Sequence, residues 1–337
     1  MIKINLNEEA IKNITEFLEK DLRSARTKGL MCRLKDEKNY TYLQTLYPYL
    51  YKKLYDDKSG KPDEQKIVQY LMLSRKELMD VIQILGPVTN NDCSQRLREI
   101  FDYEGFSNRQ GLRNILRELG VRICPYCNRI SVYTEKYSHG IKSNVDHYYP
   151  RAIYPYLSLS VFNLVPCCSY CNSHKNDLDC YKEPIIYPYE EEFGTDTFFY
   201  IRLKDCGSLF GVLEDKTKDI KVAIKCLNDE KRQKVMQQDS RLRLCAVLND
   251  DDSDGYKESS YRGDIQKFIK NQSFLYAGRL KLTMATADSE NDVFKTFIGE
   301  CIERFEQNYE QSEWGNRELA KLYHDIAKQI KEEYNED

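Results

Sequence analysis

The sequence predicts a mainly α-helical chain with one small α+β module stapled by four cysteines. Three observations predict it. Apolar residues recur at three- and four-residue intervals over most of the first hundred or so positions and again near the end. Two Cys-x-x-Cys pairs stand in the middle, and short β-prone runs follow them.

With 337 residues the chain is long enough for two or three compact units, or for one domain with large extensions. A hydrophobic fraction of 41%, with 26 Tyr and 13 Phe, is too high for a disordered chain despite a mean hydropathy of -0.67. The opening stretch MIKINLNEEAIKNITEFLEK lacks the basic flank, apolar run and small-residue cleavage site of a secretory signal, and no run of about 18 apolar residues occurs anywhere. A cytoplasmic protein without a membrane span is expected. The 12 cysteines are scattered apart from the paired region, which favours metal binding there over a disulfide framework.

The helical reading starts at Glu8 to Glu19, where Ala10, Ile11, Ile14, Phe17 and Leu18 fall on one face. Similar patterns run through Tyr40 to Tyr55, Glu64 to Leu85 and Arg109 to Leu119. Turn formers at Asp56 to Asp63 and Gly86 to Asp92 read as loops between helices. After Cys180, the runs Thr197 to Leu203 and Ile220 to Ile224 suggest a small sheet or hairpin. Helical periodicity returns beyond Asp229, and again from Asp264 to Leu282 and from Asp292 to Glu333. The expected organisation is a helical region over 1–105, the cysteine-bearing module over 106–185, a short β-containing segment over 186–228 and a helical region over 229–337.

A net charge of -3 gives no global field that would draw the chain to a polyanion, so any such binding has to be local. Arg109, Arg113, Arg117, Arg122, Arg129, Lys136, Lys142 and Arg151 cluster around the paired cysteines, whereas acids concentrate at Glu190 to Glu192, at Asp250 to Asp254 and at the end.

Cys124 and Cys127 form one pair, Cys168 and Cys171 the other, and each can place two thiolates on one tetrahedral Zn²⁺. Four soft ligands close the coordination sphere, so the ion would join two distant segments rather than catalyse. Redox dithiols, or cysteines buried by chance, are the alternative, and Cys167 competes with Cys168 at a less usual spacing. Between the pairs stand Asp146-His147 with Pro150 shortly after, then Asn163-Leu164; Asn172 follows the last cysteine and Lys175 comes three positions on.

In this order and within about 60 residues, these motifs resemble the HNH endonucleases. The resemblance covers under a fifth of the chain. It implies a ββα-metal fold, two strands and a helix clasping one divalent metal, and products with a 5′-phosphate and a 3′-hydroxyl. The residue types suit phosphodiester hydrolysis. His147 is a base that is neutral near pH 7, and Asp146 offers hard oxygens to Mg²⁺ or Mn²⁺. Asn172 would give a second metal contact and Asn163 would buttress the loop and orient His147. Asn172 stands where the commonest form of the pattern has His, giving an H-N-N set, and His174 is a less favoured ligand.

Lys175 and Arg151 are the candidate phosphate contacts, Lys175 being equally a solvated helix residue. Tyr126, Tyr148, Tyr149, Tyr154, Tyr156 and Tyr170 can stack on bases, though core packing is the favoured role for most; His139 and His324 are ordinary polar positions.

The run from Asp146 to Pro166 is further similar to HNH proteins of bacterial anti-phage systems of the Septu and retron-associated types. That likeness implies an ABC-like ATPase as partner; for the endonuclease itself DNA is the first candidate substrate. A ribonuclease acting on structured RNA such as tRNA, or a non-catalytic zinc scaffold, stays open, as does a homo-oligomer.

Overall fold

In a computed structural model, residues 1–23, 29–108, 110–132, 143–203, 220–249, 261, 263–265, 267–269 and 309–335 are described. The expected helix from Asp264 to Leu282 and the start of that from Asp292 lie largely outside them, as do Arg109, Lys136, His139 and Lys142. The chain divides into two compact units, one of Lys3–Pro125 with Ser131–Glu191, the other of Met1–Ile2, Tyr126–Ile130 and Glu192–Asp337. The boundary drawn at 105 from the sequence falls inside the first unit.

The first unit opens with helices α1 (Glu8–Arg23), α2 (Leu30–Leu34), α3 (Glu37–Leu46), α4 (Pro48–Leu54), α5 (Glu64–Leu71), α6 (Arg75–Leu85), α7 (Asn91–Ile100), α8 (Tyr103–Ser107) and α9 (Gln110–Glu118). Two periodic stretches each break into two helices. Pro48 starts α4 at a position where its missing N–H costs nothing. Ser74 starts α6 with a capping box, its hydroxyl accepting from the Glu77 amide while the Glu77 carboxylate accepts from the Ser74 amide. Asp36, Asp63, Asn90 and Asp102 cap α3, α5, α7 and α8 through side-chain oxygens. Gly86 ends α6 at φ +68°, a left-handed value glycine adopts without a Cβ penalty. The polar composition of Asn91–Ile100 (NDCSQRLREI) hid α7 from sequence periodicity, although Ser94, Leu97 and Ile100 form its buried face.

These helices bury Leu18, Leu34, Leu43, Leu54, Tyr55, Ile67, Tyr70, Leu97, Phe101 and Ile115 in a common core. α1 packs along α9, and Asn13 Nδ2 donates to the Glu118 carboxylate at 3.0 Å.

Two strands follow, β1 (Asn144–His147) and β2 (Leu164–Cys167), antiparallel, with Asp146 opposite Val165 and His147 opposite Leu164. Helix α10 (Ser169–Lys175) comes directly after β2 and packs on β1. It stops at Asn176, whose φ of +45° is a conformation Asn tolerates better than most residues. The long loop between β1 and β2 is seated on the helices. Tyr70 Oη donates to the Tyr156 carbonyl at 3.0 Å, Tyr156 Oη to the Gly86 carbonyl at 2.7 Å, and Ser158 Oγ to the Phe101 carbonyl at 2.8 Å. Tyr148, Tyr149, Tyr154 and Tyr156 are all buried and serve as core, with the Tyr148 and Tyr156 hydroxyls donating to backbone carbonyls and that of Tyr154 to the Asp179 carboxylate.

In the second unit β3 (Thr197–Leu203) pairs antiparallel with β4 (Ile220–Cys226), the hairpin the sequence suggested with β4 extended by two residues. α11 (Asp229–Leu242) and α12 (Leu244–Leu248) pack on β4, and the C-terminal helix Ala320–Asn335 packs on β3. Polar side chains close both outer edges of this hairpin. Asp325 Oδ2 accepts from the Phe199 amide at 2.9 Å, Gln329 pairs with both backbone groups of Ile201, and Asn249 pairs with both of Val222. An unpaired strand edge is otherwise a template for aggregation.

No helix among the described residues is long and apolar enough to cross a membrane.

Tyr70→Phe keeps the buried ring and deletes the hydroxyl that holds the Tyr156 carbonyl. It should lower unfolding stability by about 1–2 kcal/mol in urea denaturation; an unchanged midpoint would show that this bond does not fasten the loop.

Candidate functional site

The cysteine pairs meet. Cys124, Cys127, Cys168 and Cys171 are all buried, and their sulfurs lie within 4.8 Å of one another. A tetrahedral site with Zn–S bonds of about 2.3 Å needs sulfurs about 3.8 Å apart, so the four thiols fit a structural metal such as zinc. Backbone amides point at the sulfurs, from Cys168 to Cys124 Sγ, from Cys171 to Cys168 Sγ and from Arg129 to Cys127 Sγ, each at 3.4 Å. Donors aimed this way stabilise thiolates and orient them. The first pair sits on a tight turn in which Asn128 has φ +53° and which is closed by the Ile123–Ser131 bridge; the second spans the start of α10, with Cys168 as its N-cap.

Cys167 is not part of the cluster. It ends β2 opposite Asn144, where burial first and the Asp146 carboxylate second push its thiol well above the ordinary range.

Asp146 and His147 lie at the end of β1, both nearly buried. Lys175, expected from the sequence to meet a phosphate or solvent, is instead buried, its side chain 0% exposed. Its Nζ donates to the Asp146 carboxylate at 3.0 Å and to the His147 carbonyl at 2.8 Å. Burial alone would lower the Lys175 pKa, but the Asp146 charge and hydrogen bond outweigh it and hold the ammonium above its usual value. One turn earlier on the same helix face stands Asn172, half-buried. His174 lies off this face, stacked on Tyr170 with ring centroids 3.9 Å apart and Nδ1 on the Tyr170 carbonyl.

His147 Nε2 lies 2.9 Å from the Ser158 carbonyl oxygen. A carbonyl only accepts, so Nε2 carries the proton and Nδ1 keeps the lone pair. Burial depresses the imidazole to a pKa of about 4 against the opposing pull of the Ser158 carbonyl and Asp146, so the ring is neutral near pH 7.

Asn163 is fully buried under this arrangement. Its Oδ1 accepts from the Tyr149 amide at 2.7 Å, and its Nδ2 donates to the carbonyls of Tyr149 at 3.0 Å and Leu157 at 3.2 Å. With Tyr148 N donating to the Asn163 carbonyl at 2.9 Å, one residue spans both ends of the β1–β2 loop.

Two neighbours were missed from the sequence. Ser158 sets the His147 tautomer through a backbone atom, which no residue type could reveal. Tyr103, at the start of α8, places its ring edge-on to His147 with centroids 4.5 Å apart. Arg151 lies over the Tyr103 ring and pairs with Glu104. The basic stretch around the cysteines is thus less open than its charge suggests, since Lys175 and Arg129 are both buried.

Two measurements follow from this geometry. Elemental analysis should find zinc bound at one equivalent per chain, and Cys171→Ser should lose it together with the cooperative unfolding transition; full folding without metal would refute the staple. Lys175→Met keeps the length of the side chain and strands a buried carboxylate, so it should cost about 3–5 kcal/mol in chemical denaturation.

No family model matches the chain, and no solved structure matches it. A stretch of 73 residues is 37% identical to the Septu protein PtuB of Bacillus thuringiensis. It covers 22% of this chain and 26% of that protein, so the chain spans about a quarter of the length of the relative it matches.

Proposed function

We propose that the chain is a metal-dependent HNH endonuclease that hydrolyses phosphodiester bonds, with DNA as substrate, and that it is the effector of a Septu-type anti-phage defence system. The observation that carries this reading is the neutral His147 on β1, its Nδ1 lone pair directed by the Ser158 bond, beside Asp146 and packed on the helix that bears Asn172. The partial likeness to a Septu protein supports the defence setting, and the resemblance of the run from Asp146 to Pro166 to HNH proteins of such systems is the ground for an ABC-like ATPase as the proposed partner.

Asp146 and Asn172 offer hard oxygen donors on two elements that pack together, a set suited to Mg²⁺ or Mn²⁺. A carboxylate oxygen that accepts a hydrogen bond from an ammonium keeps a second lone pair and can also bind a metal ion. Such an ion, when bound, would neutralise charge developing at phosphorus and at the leaving oxygen.

His147 Nδ1 takes the proton of the attacking water while Nε2–H stays on the Ser158 carbonyl. The imidazolium that forms is stabilised by that carbonyl and by the Asp146 charge, the two influences that raise its pKa. The water oxygen bonds to phosphorus as its proton passes to Nδ1, the bond to the 3′ oxygen breaks, and that oxygen takes a proton from solvent, so the products carry a 5′-phosphate and a 3′-hydroxyl. Asn163 keeps the loop that follows the base from shifting. A metal held by the cysteine cluster would fix α10, and hence Asn172, against the turn that carries Cys124 and Cys127.

Plasmid DNA and total cellular RNA incubated with Mg²⁺ or Mn²⁺ test the reading. His147→Ala should reduce cutting by about 10²–10⁴-fold with zinc content unchanged. Undiminished cutting by the variant would reject His147 as base, RNA cut in preference to DNA would make the enzyme a ribonuclease, and inertness of both proteins even with the partner ATPase would leave a zinc scaffold.

A further inference from the structure

The sequence nominates two cations for a substrate phosphate, and the structure separates them. Lys175 is spent inside on Asp146, whereas the Arg151 side chain is 41% exposed. Arg151 is held in two ways. Its guanidinium lies 5.4 Å from the centroid of the Tyr103 ring, and Nη1 pairs with the Glu104 carboxylate, itself 67% exposed. The same Tyr103 ring meets His147 edge-on. One aromatic ring therefore connects the imidazole with the guanidinium, and both Tyr103 and Glu104 come from α8, outside the segment that carries the sequence motifs.

We propose that Arg151, Tyr103 and Glu104 form a phosphate-recognition subsite beside His147, in which Glu104 occupies the guanidinium until a substrate phosphate displaces it. The inference rests on the nuclease reading for its substrate. A guanidinium fork that fits a carboxylate also fits a phosphate, and an exposed ion pair is weak enough to exchange. Tyr103 is the positioning residue. Its face keeps the cation from swinging away when the carboxylate leaves, and its T-shaped contact with His147 keeps that cation next to the imidazole. Glu104 left in place would repel an incoming phosphate, so its departure is part of binding.

Binding is measured by fluorescence anisotropy of a fluorescein-labelled DNA duplex with the full chain, in buffer without added divalent cation. Glu104→Gln should tighten binding about two- to five-fold. Arg151→Gln should weaken it and lower the slope of log affinity against log salt by about one. In the Arg151→Gln background, Glu104→Gln should bring no gain, and Tyr103→Leu should remove most of the gain that Tyr103→Phe retains. A gain from Glu104→Gln that survives without Arg151 would be a general charge effect and would overturn the subsite, as would no gain at all. Cutting of plasmid that depends on His147, with no response to Glu104→Gln, rejects the subsite and leaves the nuclease reading standing. An Arg151-dependent gain in a chain that cuts nothing supports the subsite and rejects the nuclease reading.

Discussion

The buried ammonium of Lys175 is the point on which the arrangement around β1 depends. It joins the last turn of α10 to the carboxylate of Asp146 and to the backbone of His147, and it is shut away from water. Removing a lysine and an aspartate from water carries a large desolvation penalty, which their attraction offsets only when the geometry is good and other hydrogen bonds complete it. The His147 carbonyl supplies one of those bonds. The pair therefore specifies one seating of helix on strand, and Asn172 inherits its position from that seating.

A second constraint runs through the loop between the strands. β1 and β2 share only a short ladder, so the backbone beyond His147 finds its partners elsewhere. Asn163 provides them at one end, and the helices provide them at the other through Tyr70, Tyr156 and Ser158. Ser158 is the join between the two systems. Its hydroxyl rests on Phe101 at the end of α7 and its carbonyl accepts the His147 proton, so the helical layer sets the protonation pattern of an imidazole on a strand. α8 contributes from the same side, placing Tyr103 against the other edge of the site. The early helices are in this sense part of the site.

Side-chain amides and carboxylates take over backbone hydrogen bonding in the second unit too. Asp325, Gln329 and Asn249 close a two-stranded sheet that has no further strand among the described residues. Buried backbone groups have to be paired, and short strands leave many without a ladder partner. Polar residues in the periodic helices and turns of this chain answer that need.

The sequence by itself determined the helical character of the first unit, the hairpin of β3 and β4, and the convergence of Cys124, Cys127, Cys168 and Cys171, because periodicity and ligand spacing are local properties that survive without knowing the fold. It also singled out Asp146, His147, Asn163 and Asn172 through their order along the chain. It could not place Lys175, since a lysine reads as solvated until a buried carboxylate is known to face it, whereas its choice of Cys168 over Cys167 on Cys-x-x-Cys spacing agrees with the cluster. α7 was hidden because its apolar face is thin, and Tyr103, Glu104 and the Ser158 carbonyl were invisible because they reach His147 and Arg151 only through space. Residue types and spacing define which chemistry is available; burial and distance, which only the tertiary structure supplies, decide which charge is paired, which nitrogen carries the proton and which cation is left facing water.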